Sequence, residues 1–308
     1  LIENNGYGLS TPSQDQFRCN HIADKAIGYG IDSKIIDGNN VLEVFHEVSS
    51  IAADLRKNPR PFLLECKTFR MRGHEEASGT KYVPKELMDE WKKKDPILNY
   101  ENYLVDNNIL IDGQIQQIKE QIFEEISEAA SVFSKIDSLE VTSQNELNDL
   151  FREYLPIKIT PHGETKEFRF IDAIQDALKI AMKKYDNLIF MGQDIGSYGG
   201  VFKITEGFVE EFGDSRVRNT PISEAAPLGA ALGLTIGGKK AMVEMQFADF
   251  VSCGFNQIAN NLAKTHYRWG QNSDVVIRMP TGGGAAAGPF HSQSNEAWFF
   301  HIPGLKIV

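Results

Sequence analysis

The hydrophobic pattern of the first part of the chain alternates short apolar runs with one longer amphipathic run. "SKIID" (33–37) is followed by "NNVLEVFHEVSSIAADL" (39–55) and then by the near-continuous apolar run "PFLLECKTF" (61–69). The middle run predicts a helix that begins after Asn40, a favourable N-cap residue. The third run is typical of a strand buried on both faces of a parallel sheet. The apolar face expected on the helix consists of Leu42, Phe45, Val48 and Ala52.

The second half of the chain repeats this alternation. "FIDAIQDALKIAMKK" (170–184) predicts an amphipathic helix, and three runs typical of strands follow it: "LIFMGQD" (188–194), "AMVEMQF" (241–247) and "DVVIRMP" (274–280). Strands that alternate with helices imply βαβ units, so we predict an α/β fold with mostly parallel sheets flanked by helices. The buried face expected on the helix consists of Ile171, Ile174, Leu178 and Ala181.

Residues 105–165, between these two regions, have a different character. "GQIQQIKEQIFEEISEAASVFSK" (113–135) predicts a helix whose many charges form a solvated face. "SQNELNDLFREYLPIKITPHGETKE" (143–167) is polar and rich in turn-forming residues. This part of the chain therefore reads as the tail of one domain and a linker to the next, with the boundary near residue 160.

Composition narrows the functional classes. A length of 308 residues suggests about two domains, and a net charge of -10 argues against a nucleic-acid partner. No run reaches the roughly 18 consecutive apolar residues of a membrane-spanning helix. Cys19, Cys66 and Cys253 form no CxxC pair, which suits a reducing compartment and gives no metal site built from cysteines. We expect all three cysteines to be buried as small hydrophobic side chains.

A carboxylate precedes a small, apolar run in "RNTPISEAAPLGAALG" (218–233). The run predicts the start of a buried helix, and Glu224 is the residue directly before it. A single acid in this position is unusual, and it marks a candidate site.

Two stretches of the first half carry candidate ligand groups. "NNGYG" (4–8) follows an apolar start, and its Asn5 side chain and backbone carbonyls suit a hard cation such as Mg²⁺, although such a sequence is more often a plain turn. Arg70, Arg72 and His74 come directly after the run 61–69, and ligands of open α/β sheets lie beyond the carboxyl ends of strands. These side chains could hold a phosphate or donate a proton, and a solvated basic loop is an equal alternative.

A third stretch, "MPTGGGAAAGPFHSQS" (279–294), combines glycines with His291. So many small residues suggest a backbone that approaches a ligand closely. The alternatives are a flexible surface loop and a histidine packed in the core.

Taken together, these stretches resemble a known family. "ENNGYG" and "FRMRGHEEASG" are similar to the α part of the E1 component of 2-oxo acid dehydrogenase complexes. "TPISE", "EMQFADF", "RMPTGGG", "FHSQS" and "HIPGLKIV" are similar to its β part. These thiamine-diphosphate enzymes are of the branched-chain (2-oxoisovalerate), pyruvate and acetoin type. The resemblance covers nearly the whole chain except the linker, and its motifs occur in matching order, so it implies fused α and β parts.

The resemblance implies two thiamine-diphosphate-binding-type domains, both partial. Residues 1–105 correspond to the C-terminal portion of the α-like, diphosphate-binding domain, and residues 106–165 to a helical tail and linker. Residues 166–308 correspond to the N-terminal portion of the β-like, pyrimidine-binding domain. Because the chain begins without Met and ends on the strand-like run "PGLKIV", we expect it to be a piece of a longer protein, without its targeting signals.

The resemblance also implies the catalytic residues. Glu224 matches the glutamate that hydrogen-bonds N1′ of the aminopyrimidine and moves the proton that activates the cofactor, and a partly buried carboxyl holds its proton more tightly. His74 matches a histidine near the diphosphate and the reacting centre. His291 matches a histidine proposed to help acyl transfer to the lipoyl group.

Cofactor and metal positions carry over in the same way. Arg70 matches a basic residue beside the diphosphate, and Asn5 and the Tyr7 backbone match Mg²⁺ ligands. Backbone carbonyls from Ser273 to Val276 match a K⁺ site of some relatives. The remaining cofactor-binding positions are Tyr7, Ile222, Phe247 and Phe250.

The sequence departs from the family pattern at several points. The Gly-Asp-Gly element that supplies a Mg²⁺-binding Asp would lie before residue 1, and "IDGNN" (36–40) has the wrong spacing to replace it. The family's C-terminal domain would follow residue 308. Gln193 stands where many relatives have a glutamate, and Glu75 occupies the place of a serine that kinases modify, which makes kinase control there unexpected.

The expected function is therefore oxidative decarboxylation of a 2-oxo acid and acylation of the lipoyl domain of E2. A branched-chain substrate is the first choice, and pyruvate or acetoin-type activity is the alternative. We expect thiamine diphosphate and Mg²⁺ as cofactors, a homodimer of fused chains, and a bacterial cytoplasm or, alternatively, a mitochondrial matrix. The chain alone is expected to bind the cofactor weakly and to be inactive. The non-enzymatic alternative is a fragment that serves only as an assembly module. Transketolase-like enzymes share the cofactor but fit the motifs less well.

Overall fold

The computed structural model of the chain describes residues 1–136, 140, 142–153, 160 and 163–308. The chain divides into two compact units, Leu1–Asp137 and Ser138–Val308. The domain boundary predicted near residue 160 falls between stretches that lie outside the described residues, and it stays a prediction.

The first unit is built on a three-stranded parallel sheet. Its strand order is β1-β5-β4, and β2 and β3 form a separate antiparallel pair. The strands are β1 (Ile2–Asn4), β2 (Tyr7–Gly8), β3 (Thr11–Pro12), β4 (Asp32–Asp37) and β5 (Phe62–Lys67). The helices are α1 (Ser13–Gln16), α2 (Lys25–Tyr29), α3 (Val41–Lys57), α4 (Lys85–Lys92), α5 (Pro96–Asp106) and α6 (Asp112–Phe133).

Helix α3 confirms one sequence prediction and corrects another. The Asn40 side chain accepts a hydrogen bond from the Glu43 N–H at 3.2 Å, so the predicted N-cap is confirmed. The buried face was predicted correctly only for part of its residues, because Val48 packs against the sheet core while Phe45 is 74% exposed and Leu42 40% exposed. The side chains of α3 that pack against the sheet core are those of Val44, Val48 and Ile51.

The second unit is built on a four-stranded parallel sheet with the order β7-β6-β8-β9. The strands are β6 (Leu188–Gly192), β7 (Val217–Asn219), β8 (Lys240–Glu244) and β9 (Val275–Arg278). A 3₁₀ helix (Ala248–Phe250) and a π-helical turn (Gln257–Leu262) lie between β8 and β9. The α-helices are α7 (Ser143–Asp149), α8 (Phe170–Lys184), α9 (Phe208–Phe212), α10 (Ala225–Ile236), α11 (Val251–Asn256), α12 (Ala263–Trp269), α13 (Gly288–His291) and α14 (Ala297–Phe300).

Two apolar clusters hold this sheet between helices. One contains Leu228 and Ala231 of α10 against Val243 of β8, and the other contains Leu178 of α8 against Phe190 of β6. All of the face predicted for α8 packs in the second cluster or beside it, which confirms that prediction. Both units therefore have the predicted α/β fold, with parallel sheets flanked by helices.

Other predictions were wrong in detail. Cys66 is buried, but Cys253 is exposed and Cys19 only half-buried, so burial does not hold for all three. "PGLKIV" forms no strand, although Leu305 and Ile307 pack against the core of the second unit. None of the helices in the described part of the chain has the length and hydropathy needed to cross a membrane.

Candidate active site

The carboxyl ends of the parallel strands of the second unit meet at one edge of the sheet. Gly192 at the end of β6 pairs with Glu244 of β8, and Glu244 pairs with Arg278 of β9. A Cβ atom at Gly192 would lie 2.8 Å from the Glu244 carbonyl oxygen, so only glycine permits this approach. Ligands of open α/β sheets bind at this kind of edge.

Glu224 directly precedes α10 at this edge. Glu224 has helical backbone angles and its side chain makes no capping hydrogen bond, so the carboxylate does not cap the helix. The half-buried carboxylate accepts a hydrogen bond from Gln193 Nε2 at 3.4 Å. Close packing holds it in place, because a Cβ at Gly254 of α11 would lie 2.3 Å from Leu228 Cδ1 and 3.3 Å from the Glu224 carbonyl oxygen. The position of Glu224 is thus set by backbone packing.

Glu224 faces a small cleft that has room for about one water molecule. Gln193, Thr220, Glu244 and Phe250 line this cleft with Glu224. The hydroxyl of Thr220 is buried and has no hydrogen-bond partner among the described residues. A buried polar atom without a partner costs free energy, so it marks a place where a polar ligand atom would be stabilising.

Glu244 is a site residue that the sequence analysis missed. It is 4% exposed, and its Oε2 accepts a hydrogen bond from Arg278 Nη1 at 2.8 Å. Burial raises the pKa of Glu244, and the charge and hydrogen bond of Arg278 offset this only in part. Its signal in the sequence was an acid inside the apolar run "AMVEMQF".

An aromatic group adjoins the cleft. The His291 ring is stacked on Phe247 with centroids 4.7 Å apart, and it meets Phe250 at 5.4 Å and 62°. His291 Nδ1 lies 3.1 Å from Oδ2 of Asp249, a second residue that the sequence analysis missed. The second unit therefore brings together Glu224, His291 and both predicted phenylalanines.

Two other predictions for the second unit lie apart from this group. Ile222 is 85% exposed and is not among the residues that line the cleft. In the stretch predicted to bind K⁺, the Ser273 carbonyl accepts from the Val275 N–H and the Asp274 carbonyl accepts from the Ala241 N–H. Both of these carbonyls are thus already used by backbone hydrogen bonds.

In the first unit, the predicted ligand residues lie around the turn that follows β1. Asn5 Oδ1 accepts a hydrogen bond from the Tyr7 N–H at 3.0 Å. Arg70 Nη2 donates to the Leu9 carbonyl at 2.7 Å and to the Tyr82 hydroxyl at 2.9 Å, while the Tyr7 and Tyr82 rings lie 5.8 Å apart. Arg70 therefore holds this turn in place.

His74 does not join this arrangement. It is exposed, and its side chain makes no hydrogen bond to any described residue. Among the described residues, no three His, Cys, Asp or Glu side chains are grouped to hold a metal ion. Asn5 and the Tyr7 carbonyl supply two hard oxygens, which is part of the six that Mg²⁺ requires.

A buried carboxylate, Glu65, lies in the central strand β5 of the same unit. It is fully buried, and it accepts hydrogen bonds from Asn4 Nδ2 at 2.6 Å and from the Ala23 N–H at 2.7 Å. Lys67 Nζ lies 2.7 Å from Oε1 of Glu65, the same oxygen that accepts from Asn4. Burial opposes ionisation, but the bonds from Lys67, Asn4 and Ala23 outweigh it and hold the pKa of Glu65 below its ordinary value. Glu65 thus ties β1 and the Ala23 segment to the sheet.

The fold defines a class, an α/β protein whose parallel sheets are flanked by helices. Residues 1–139 match the family model of the dehydrogenase E1 component, and residues 166–308 match that of the transketolase pyrimidine-binding domain. Each match covers less than half of the chain, and the two ranges are those in which the sequence motifs resemble the α and β parts of the E1 component.

Relatives with known names agree with this. Over 143 residues the chain is 45% identical to the 2-oxoisovalerate dehydrogenase subunit beta of Bacillus subtilis (strain 168), an alignment that covers 45% of this chain and 43% of the relative. Over 158 residues it is 40% identical to the mitochondrial 2-oxoisovalerate dehydrogenase subunit beta of Dictyostelium discoideum, covering 50% and 42%. It is 39% identical over 158 residues to the pyruvate dehydrogenase E1 component subunit beta of Leifsonia xyli subsp. xyli, covering 51% and 47%. These alignments span less than half the length of each relative.

Proposed function

We propose that this chain is part of a thiamine-diphosphate-dependent E1 component that decarboxylates a 2-oxo acid and passes the acyl group to the lipoyl group of E2. The observation that carries the proposal is the half-buried carboxyl of Glu224, held by packing at the mouth of α10 and facing the strand-end cleft. A branched-chain substrate is favoured, since one 2-oxoisovalerate relative is 45% identical, whereas the pyruvate relatives are 39% to 41% identical. Pyruvate is the alternative.

The groups that line the cleft match the polar edge of an aminopyrimidine, but the ring itself would have to lie outside the cleft, which has room for about one water molecule. An aminopyrimidine has polar edges and apolar faces, and the cleft presents the Glu224 carboxyl, the unpaired Thr220 hydroxyl and the ring of Phe250. When bound, thiamine diphosphate supplies the electron sink for decarboxylation. In the first unit, Asn5 and the Tyr7 carbonyl would provide part of the Mg²⁺ shell, and Arg70 would lie beside the diphosphate.

The residues of the chain have distinct tasks in this proposal. Glu224 holds and moves one proton at N1′ of the pyrimidine, and Gln193 orients its carboxyl through the 3.4 Å hydrogen bond. Phe250 supplies an apolar wall of the cleft that this carboxyl lines. His74 acts near the diphosphate, and His291 acts later, during acyl transfer.

A second candidate function is an assembly module that binds a partner E1 chain. Helix α6 favours it, because several large apolar side chains on this helix are exposed. They are Ile118, Ile122, Phe123, Ile126 and Phe133. In this case, the chain would bind its partner E1 chain without contributing a catalytic group.

The test is a turnover assay of the assembled enzyme that contains this chain. With Mg²⁺, thiamine diphosphate and an artificial electron acceptor, we expect turnover of branched-chain 2-oxo acids with a higher kcat/KM than for pyruvate. Preference for pyruvate would select the alternative substrate. Absence of turnover with every 2-oxo acid, together with stable binding to a partner E1 chain, would replace the enzyme with the assembly module.

A further inference from the structure

Asp249 and His291 are in contact, and none of the roles predicted from the sequence involves this contact. Asp249 lies in the 3₁₀ helix Ala248–Phe250, and its side chain is only 10% exposed. His291 is the last residue of α13, and its Nδ1 lies 3.1 Å from Oδ2 and 3.3 Å from Oδ1 of Asp249. Both carboxylate oxygens therefore face the same ring nitrogen.

The backbone around this pair is anchored on both sides. The Ala248 N–H donates to the Pro280 carbonyl at 2.9 Å, which ties the 3₁₀ helix to the end of β9. The buried side chain of Asn295 donates from Nδ2 to the Ala248 carbonyl at 3.1 Å, which ties it to the segment after His291. The separation of Asp249 and His291 is thus set by other contacts, unlike that of a surface ion pair.

The plane of the histidine ring is held as well. Phe247 stacks on one side at 4.7 Å and 24°, and Phe250 meets the ring at 5.4 Å. The imidazole is 39% exposed, so one edge of it reaches solvent while Nδ1 is turned toward the carboxylate. A carboxylate at Nδ1 requires a proton there, and this leaves Nε2 as the atom that exchanges protons with a bound molecule.

We propose that Asp249 is a positioning residue that holds the proton of His291 on Nδ1 and so assigns Nε2 to acyl transfer. This inference extends the proposed function. In that step the lipoyl disulfide breaks, and one sulfur bonds to the acyl carbon, which supplies two electrons and is oxidised. The other sulfur takes the electron pair of the broken bond and receives a proton from Nε2 of the protonated ring. His291 is left neutral, with its remaining proton on Nδ1.

The tautomer can be measured without any activity. The chain has seven histidines, so the ¹⁵N signals of His291 are assigned by their loss in His291→Asn. In the neutral ring we expect the proton on Nδ1, and in Asp249→Leu we expect it to move largely to Nε2. A proton on Nε2 in the unaltered protein, or an unchanged tautomer in Asp249→Leu, would overturn the proposal.

The functional test compares two assays on the assembled enzyme. Asp249→Asn is nearly isosteric, so decarboxylation measured with an artificial electron acceptor should stay within about twofold, while acylation of a lipoyl domain should fall by about 10²-fold or more. Asp172→Asn, which removes an exposed aspartate paired with Arg169, is the matched control and should change neither rate.

Failure of this inference differs from failure of the proposed function. Equal losses in both assays for Asp249→Asn, or no loss in either, would overturn the positioning role while the enzyme assignment stands. If the unaltered enzyme decarboxylates no 2-oxo acid, the proposed function fails, and the tautomer measurement still decides the state of His291.

Discussion

Each unit buries a glutamate inside its parallel sheet, and the two glutamates differ in the number of donors around them. Glu65 in β5 receives hydrogen bonds from Asn4 and Ala23 and an ion pair from Lys67. Glu244 in β8 receives one charged hydrogen bond, from Arg278, and the same residue lines the strand-end cleft. The pKa is lowered at Glu65 and raised at Glu244.

The donors account for this difference. Burial disfavours a charged carboxylate in both sheets, and hydrogen bonds to the charged form oppose it. Three donors outweigh burial at Glu65, so its charge serves to join segments of the chain. One donor does not outweigh burial at Glu244, so the pKa of this carboxyl is raised in the cleft that also holds Glu224. An incompletely satisfied acid at a ligand-binding edge is typical of a functional site.

The largest expected effect is a loss of turnover when Glu224, proposed to be a functional carboxylate, is replaced. Glu224→Gln is nearly isosteric and should fold normally, yet it cannot move a proton, so kcat should fall by about 10²- to 10⁴-fold. The measurement is turnover of the assembled enzyme with a saturating 2-oxo acid, alongside the unfolding midpoint. Glu210→Gln, at an exposed position of α9, is the control. Near-normal turnover would show that Glu224 is structural, as Glu65 is, and the cleft of the second unit would then lose its proposed functional acid.

A smaller effect, on stability, is expected at Glu65. Glu65→Gln replaces an acceptor oxygen with a donor, so at least one of the Asn4 and Ala23 donors loses its partner in the core. Each such loss costs about 1–3 kcal/mol of the free energy of unfolding. Chemical denaturation at neutral pH measures this cost. A change below about 0.5 kcal/mol would mean that the polar cluster around Glu65 does not hold the sheet together.

The smallest effect is a pH dependence of opposite sign at the two residues. The lowered pKa of Glu65 means that its carboxylate adds stability above the ordinary value of 4.5, and this is lost as pH falls through its folded pKa. The raised pKa of Glu244 means that its contribution is complete below 4.5 and is lost as pH rises through its folded pKa. Relative to the unaltered protein, Glu244→Gln should therefore gain stability as pH rises above 4.5, and Glu65→Gln should gain stability as pH falls below 4.5. Denaturation at several pH values measures both, and parallel trends would break the comparison.

The sequence predicted the architecture because the signals are local. Alternating strands and helices, the Asn40 cap and the buried face of α8 all follow from residues close together along the chain. The face of α3 was predicted only in part, with Val48 correct and Leu42 and Phe45 wrong, because apolar residues cover more than one side of this helix. The stripe of Val44, Val48 and Ile51 and the stripe of Leu42 and Phe45 compete, and the pattern does not say which one meets the sheet.

The candidate site was predicted only in part, for a related reason. Glu224 and His291 came from motifs, but their partners Gln193 and Asp249 lie 31 and 42 residues away along the chain. Glu65 and Glu244 share one sequence signal, an acid within an apolar strand. Their opposite pKa directions depend on which donors the fold brings to each, and this is a property of long-range packing.

The central claim is that its surroundings lower the pKa of Glu65 in the first unit, while the surroundings of Glu244 in the second unit raise its pKa. Its most direct test is a pH titration of the ¹³C side-chain carboxyl signals of Glu65 and Glu244, assigned with the Gln variants. The account predicts a midpoint below 4.5 for Glu65 and above 4.5 for Glu244. Midpoints on the same side of 4.5, or in the reverse order, would contradict it.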